Sequence, residues 1–335
     1  MRLARWRHRG EVGEGFVVDD HVLPLPDGGT IAGLLAAGLP ATLEIGAALV
    51  AATHGDEEPR LDDVELLPPL VPTTIRDFVA FEEHVEGVSA AVDGRSEVVP
   101  EWYEYPTFYF TNPHSVVATG ETVVPPQCER LDFELEVAAV IGAVAGSDGA
   151  NLTPEQGAAA IFGFTILNDW SARDVQAREM RVRLGPAKGK DFASTLGPWI
   201  VTADELADVL DPDGFHRLAM EAEVNGTPVG NDLLSNMGWP FGELVAYASR
   251  NTRVVPGDVL GSGTGGNGCC LAELWGRSGE LSPPPLVAGD EVVLRVERLG
   301  ELRNVVGHAG PVPRVPRARP RRPGPPRATT EVDLA

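Results

Sequence analysis

Lysine is almost missing from this 335-residue chain. Lys188 and Lys190 are the only two, and every other basic side chain is arginine. Positive charge is scarce altogether, with 27 Lys and Arg against 49 Asp and Glu and a formal net charge of -22. That balance argues against nucleic acid or an anionic membrane as the main partner, because both are bound through a positive field. Long apolar runs are also missing. Runs such as IGAALVAA at 45–52 fall well short of the roughly 20 residues that span a bilayer. The basic N-terminal stretch MRLARWRHRGE has no apolar segment behind it, so no secretory signal is visible. Cysteine is confined to Cys128, Cys269 and Cys270, too few for a disulfide framework. A cytoplasmic protein of enzyme size is the expectation, and 43% hydrophobic residues are ample for a core.

Three regions follow from the patterning. Residues 1–70 read as a small β-rich N-terminal domain, with two or three short strands in ARWRHRGEVGEGFVVDDHVLPL and helical spacing in TIAGLLAAG and ATLEIGAALVAATH. His54 falls in an exposed THGDEE loop. The proline-marked LLPPLVPTT (66–74) is the boundary. Residues 71–310 alternate strand-like runs with turns, among them FELEVAAVIG, IFGFTILN, GPWIVT, LAMEAEVNG and DEVVLRVERLG. Helices are predicted in TPEQGAAAIF, with a Thr153/Gln156 capping box, and in SARDVQAREM, with Ser171 as a possible N-cap. Residues 311–335 hold seven prolines and six arginines with almost no large apolar side chains, so they cannot bury a core and read as a disordered tail. The fold class expected is α+β, mainly β.

Candidate chemistry lies in carboxylates. Asp132, Glu134 and Glu136 alternate in LDFELEVAAVIG and would share one strand face, with Phe133, Leu135 and Val137 on the other. Three acids on one face are tolerable in water, the simpler reading of this stretch alone, or around a cation. IFGFTILN then ends in Asn168-Asp169-Trp170, which puts Asp169 at a strand end before a helix carrying Arg173 and Gln176 on one face. Lys190, in LGPAKGKDFAST, follows a glycine that lets the backbone pass close to something, and it can neutralise an anionic substrate. The spacing is not that of a Walker A loop. Gly261, Gly263 and Gly266 form a GxGxxG. The run after it reads as a strand ending at Trp275, which argues against dinucleotide binding and for a turn that brings Thr264 to a ligand. In TTIRDFVAFEEHVEG, Asp77 and His84 are seven apart, two turns on one helix face, and Glu82, Glu83 and Glu86 would favour the charged imidazole.

In this order and spacing, LDFELEVAAVIG, NDWSARDVQ, GKDFAST, LGPW, GSGT and LAELW resemble the fumarylacetoacetate hydrolase family over about residues 70–308. The resemblance implies a mixed β-sandwich or curled-sheet (β-roll) core and a homodimer. It implies metal ligation by Glu134, Glu136 and Asp169, with Asp77 as a fourth carboxylate. It places the catalytic histidine at His84, its paired acid at Glu273, and substrate contacts at Lys190, Arg173, Gln176, Tyr109 and Thr264. His114, in FTNPHSVV, is the competing histidine. Met180 stands where the hydrolases proper have a tyrosine, and Ala193-Ser194 replaces a Gly-Thr pair, which puts the substrate in doubt more than the metal chemistry.

Oxygen-only ligation suits Mg²⁺, with Ca²⁺ or Mn²⁺ also possible, and no zinc-type Cys/His cluster is present. The leading expectation is a hydrolase that breaks a carbon–carbon bond in a β-diketo acid with water activated by His84 and Glu273. A 2-keto acid decarboxylase, dehydratase or tautomerase is the alternative. A non-catalytic protein that binds partners through its tail is the third reading.

Overall fold

The computed structural model describes residues 1–52, 58–93 and 98–320. His54 and the tail beyond residue 320 lie outside them. Short β-branched and aromatic runs broken by Gly and Asp set the strands. The chain begins with the meander β1 (Arg2–His8), β2 (Glu11–Val18) and β3 (His21–Pro24). It continues through α1 (Ile31–Ala37), α2 (Leu39–Ala52) and β4 (Glu65–Leu67). Then come β5 (Ile75–Phe78), α3 (Glu82–Asp93), β6 (Phe108–Thr111), β7 (Val116–Val117), β8 (Thr122–Val123), β9 (Leu131–Asp132) and β10 (Leu135–Ile141). α4 (Pro154–Ala159) opens with the capping box read from Thr153 and Gln156. β11 (Ile161–Asp169), β12 (Ser171–Ala172), α5 (Arg173–Met180), β13 (Ser194–Thr202), β14 (Ala219–Val224) and β15 (Thr227–Leu233) follow. The series closes with α6 (Phe241–Ser249), β16 (Val259–Gly261), α7 (Leu271–Ser278), β17 (Glu291–Val296) and β18 (Gly300–Val306).

The fold is α+β and mainly β. An 11-stranded sheet runs β3-β2-β1-β13-β11-β10-β16-β5-β6, with β4 on β1 and β7 on β13, and a five-stranded sheet runs β15-β14-β17-β18-β8. The N-terminal meander is continuous with the large sheet, because Arg2 and Leu3 pair with Val201 and Ile200. Alternation along β10 separates two cores. Leu135, Val137, Ala139 and Ile141 join Met220, Leu294 and Leu302 of the smaller sheet. Ala138 and Val140 join Leu3, Phe16 and the α1 residues Ile31, Leu34 and Leu35. The large sheet is thus covered on both faces, and β10 and β11 are buried along their whole length.

Four local expectations are corrected here. The acids of LDFELEV do not form a solvated face, because Asp132, Glu134 and Glu136 are all buried. Asp77 and His84 do not share a helix: Asp77 sits on β5 and His84 in the first turn of α3. The residues up to Trp275 form helix α7, not a strand, and this helix buries Leu271, Ala272, Glu273 and Trp275. Ser171 does not cap α5; it lies in β12 and its hydroxyl donates to the Asp169 carbonyl. Residues 311–320 are exposed and without regular structure, and no helix among the described residues is long and apolar enough to cross a membrane.

Candidate active site and metal centre

Sheet register assembles the site. β11, β10, β16, β5 and β6 lie side by side, with Asp77 of β5 opposite Gly261 of β16 on one side and Tyr109 of β6 on the other. Glu136 enters from β10, Asp169 from the end of β11, and Glu134 from the break between β9 and β10. Gly261 leaves the space that the acids fill: a Cβ there would meet Asp77 Oδ1 at 2.6 Å and Glu136 Oε2 at 2.7 Å. Oxygens of Asp77, Glu134, Glu136 and Asp169 all fall within 4.8 Å of one another, and all four residues are buried.

Two cations face this cluster. Lys190, only 3% exposed, donates to Glu134 Oε2 and lies 2.6 Å from Asp169 Oδ2. Arg173 bonds Asp132 Oδ2 at 2.8 Å, Glu134 Oε1 at 2.8 Å and Gln176 Oε1 at 3.2 Å. Tyr109 donates its hydroxyl to Asp169 Oδ2. The Gly263 amide and the Thr264 hydroxyl reach Glu136 at 3.1 and 3.5 Å. His84 Nε2 is 3.8 Å from Glu134 Oε1. All the site residues expected from the sequence except Glu273 and Gln176 therefore touch the carboxylate cluster directly. Gln176 holds Arg173. Glu273 lies beside His84 but bonds the Gly268 amide and is ion-paired with Arg277 at 2.6 Å. His114 is exposed on a surface turn.

Burial and charge set the protonation states in opposite directions. Burial raises Asp77 and lifts Glu136 well above the carboxylate range, with Asp77 adding repulsion at Glu136. Burial raises Asp169 to about 8 even against Lys190. Burial would also raise Glu134, but Arg173, Lys190 and His84 outweigh it and hold this carboxyl below its ordinary range. Burial lowers His84 to about 4, with Glu134 opposing. The imidazole is thus neutral near pH 7, which corrects the expectation of a charged ring. Glu82 and Glu83 turn to Tyr103 and Arg277 instead.

Several residues have roles here that the sequence did not assign to them. Asp132 is buried, but it anchors Arg173 and takes the Leu271 and Ala272 amides at 2.7 and 3.0 Å, capping α7 from another strand. A helix does follow the GxGxxG, but its first amides, which could hold a phosphate, are already taken by Asp132. Cys270 Sγ, not a Glu273 oxygen, faces His84 Nδ1, at 3.7 Å. Asn168 accepts the Glu134 amide at 3.0 Å. Glu179 accepts the amides of Ala187, Lys188 and Gly189 at 2.9, 2.9 and 3.1 Å, and so pins the loop that delivers Lys190. Its signal is faint, an acid eight to ten residues ahead of a glycine-bearing loop.

The donor set fits a hard divalent cation. Every ligand is an oxygen, and Asp77 Oδ1 and Asp169 Oδ1 are buried without a hydrogen-bond partner. Lone pairs left dry in this way are costly, and a cation satisfies them.

A family model for the fumarylacetoacetate (FAA) hydrolase C-terminal region matches residues 73–307. The chain is 32% identical to a fumarylacetoacetase of Arabidopsis thaliana over 269 residues, 67% of this chain and 63% of that protein. It is 34% identical to a mitochondrial oxaloacetate tautomerase of Homo sapiens over 188 residues, 56% of this chain and 54% of that one. The match thus spans less than two thirds of each of these two relatives. In fold it is similar to maleylpyruvate hydrolase from Sphingobium sp. SYK-6, solved with manganese(II) and pyruvate, with a TM-score of 0.67, 22% identity, and 92% of this chain and 100% of that chain covered. A 5-carboxymethyl-2-hydroxymuconate delta-isomerase from Mycobacterium smegmatis gives 0.64 at 23% identity over 92% and 100%. On the family match and the site it encloses, the chain belongs to the fumarylacetoacetate hydrolase family.

Proposed function

We propose that this chain is a divalent-cation-dependent hydrolase that cleaves a carbon–carbon bond in a β-diketo acid of the fumarylacetoacetate or acylpyruvate kind. The observation that carries the reading is the pair of partnerless carboxylate oxygens on Asp77 and Asp169, buried beside Lys190, Arg173 and a neutral histidine. Asp77, Glu134, Glu136 and Asp169 would hold the ion, with Mg²⁺ first and Mn²⁺ or Ca²⁺ as alternatives. When bound, the ion supplies Lewis acidity to a substrate carbonyl. Lys190 and Arg173 provide positive charge where negative charge develops on the substrate. Tyr109 and Thr264 are the cluster's polar contacts, and Gln176 holds Arg173 toward it. His84 takes a proton from water at Nε2 and the hydroxide oxygen attacks the carbonyl carbon. The carbon–carbon electron pair leaves on the departing fragment, which regains a proton. Glu273, beside the ring, would steady the imidazolium. A homodimer and a small keto acid partner belong to the same proposal.

The test replaces His84 with Ala and assays acylpyruvates and fumarylacetoacetate with Mg²⁺ or Mn²⁺. Loss of a general base lowers turnover by about 10²–10⁴-fold. Wild-type rates from the variant would remove His84 as the base.

A second reading has its own observation. His84 Nδ1 faces Cys270 rather than a Glu273 oxygen, so the imidazole lacks the carboxylate that would strengthen it as a base toward water. That arrangement suits a proton shuttle in a tautomerase, or a decarboxylase or dehydratase for a 2-keto acid. Product analysis separates the readings: hydrolysis yields two acids, decarboxylation yields CO₂, and tautomerisation changes no mass.

A further inference from the structure

His84, Cys270 and Glu273 form a second group of metal-capable side chains, different in chemistry from the four carboxylates. A nitrogen, a sulfur and a carboxylate oxygen from the three lie within 4.8 Å of one another, and all three residues are buried. No local spacing announces the group, because His84 and Cys270 are 186 residues apart in the chain. Cys270 stands at the N-cap of α7, Glu273 follows it in the first turn, and His84 comes from the first turn of α3. Gly87, one turn beyond His84, lets the two helices close, since a Cβ there would collide with Glu273 Cγ.

The distances suit a tetrahedral zinc ion. Bonds of about 2.3 Å to sulfur and about 2.05 Å to nitrogen, at a tetrahedral angle, put the two ligand atoms about 3.6 Å apart. Cys270 Sγ and His84 Nδ1 are 3.7 Å apart. The other ring nitrogen, Nε2, lies 3.8 Å from Glu134 Oε1. A carboxylate behind the free nitrogen is what orients a zinc-bound imidazole and fixes its tautomer. Glu273 Oε2 takes the Gly268 amide, while Oε1 is buried without a hydrogen bond. Arg277 faces Oε1 as an ion pair, but its side chain is 40% exposed and also bonds Glu83, so it can withdraw to Glu83 and leave Oε1 free. Charge balances too. A neutral imidazole, a thiolate and a carboxylate together offset a divalent cation, which a dry interior requires. Sulfur is a poor ligand for Mg²⁺, whereas zinc takes Cys, His and carboxylate together.

We propose that His84 Nδ1, Cys270 Sγ and Glu273 Oε1 form a zinc-type site, separate from the oxygen quartet, with water as the fourth ligand. Binding breaks the Cys270 S–H bond, sends its proton to solvent and forms a Zn–S bond, with no change of oxidation state. The His84 proton then resides on Nε2, the atom that would otherwise take one from water. Zinc should therefore switch turnover off. That consequence rests on the reading of His84 as the base; the site itself does not.

The test uses the full-length protein with excess Mg²⁺ to fill the quartet and Co²⁺ as the probe. A cysteine–cobalt bond gives a near-ultraviolet charge-transfer band that oxygen ligands do not. Wild type should show the band, and Cys270→Ser should lose it. Zn²⁺ binding to Cys270→Ser should weaken by more than the roughly 100-fold that disturbing a ligand's outer partner costs. Cys128→Ser with Cys269→Ser leaves Cys270 as the one cysteine and should keep the band, which assigns it whether or not Cys270→Ser folds. Glu273→Gln should keep the band and bind more weakly. In wild type, Zn²⁺ should stop turnover at saturating Mg²⁺, and a chelator followed by Mg²⁺ should restore it. No band in wild type, a band that survives in Cys270→Ser, or Zn²⁺ displaced by excess Mg²⁺ overturns the site. Zn²⁺ bound through Cys270 with turnover intact keeps the site and removes His84 as the base.

Discussion

Gly261 lies directly beneath Asp77: the two are paired across parallel strands, and a methyl group on Gly261 would stand 2.6 Å from Asp77 Oδ1. The acids cannot converge unless this position is bare. Gly261→Ala is expected to displace Asp77 and Glu136 and to weaken Mn²⁺ binding by about 10–100-fold, the usual effect of disturbing the groups that orient ligands. Overpacking should also lower stability by about 1–3 kcal/mol. Titration calorimetry with Mn²⁺ and a urea melt measure the two effects.

Lys190→Met keeps the bulk and removes the charge between Glu134 and Asp169. Turnover of the substrate is expected to fall by about 10²–10³-fold. Without added metal the variant should lose about 3–5 kcal/mol of stability, because buried carboxylates are left unpaired. Mn²⁺ should restore part of that loss, which a purely steric defect would not allow. Melts with and without Mn²⁺ make the comparison.

Glu179 does not touch the carboxylate cluster, but it ties down three successive amides ahead of Lys190. The loop also runs close to α5, since a Cβ at Gly189 would stand 2.7 Å from the Gln176 backbone nitrogen. Glu179→Ala is expected to cost about 1–3 kcal/mol and to lower kcat more than it raises KM, because Lys190 loses its fixed position. Glu179→Gln, which keeps one acceptor oxygen, should recover part of kcat.

The pH dependence of the metal-free protein follows from the same burial. His84 is neutral when folded and titrates at 6.5 when unfolded, so its opposing contribution fades as pH rises from 6.5 and is small above about 7.5. Asp169 titrates near 8 and Glu273 near 7 in the folded chain, against ordinary values of 3.8 and 4.5. Folded molecules therefore hold protons that unfolded ones have lost, and stability should fall as pH rises from 6.5 to 8. Saturating Mn²⁺ replaces the proton on Asp169 and should flatten much of that fall. Denaturant melts at several pH values, with and without Mn²⁺, read it directly, and an unchanged slope would contradict metal ligation by Asp169.

Much of this site was legible in the chain. Alternation in an apolar strand picks out Glu134 and Glu136 but by itself reads as a solvated face; it is Asp169, ending the next apolar strand, and the motif order that turn the reading toward a site. Lys190 stood out because lysine is so rare. What escaped was whatever depends on another part of the chain. The seven residues from Asp77 to His84 fit two helical turns as well as a strand, a corner and a helix, and only pairing with β16 and β6 decides between them. CCLAELW is short enough to read as a strand. It is helical because Asp132, far away in sequence, caps its first amides. The charge on His84 follows the same rule: its neighbours in sequence are acids, but its surroundings in space are a dry interior.

The carboxylate quartet joins stretches that are remote along the polypeptide, Asp77, the Glu134–Glu136 pair and Asp169. An ion held by all of them would act as a reversible cross-link that closes two long loops at once. Its release would then be governed by strand separation as well as by ligand exchange. Stripping the ion with a chelator should accordingly be slow, and urea concentrations too low to unfold the chain should speed it.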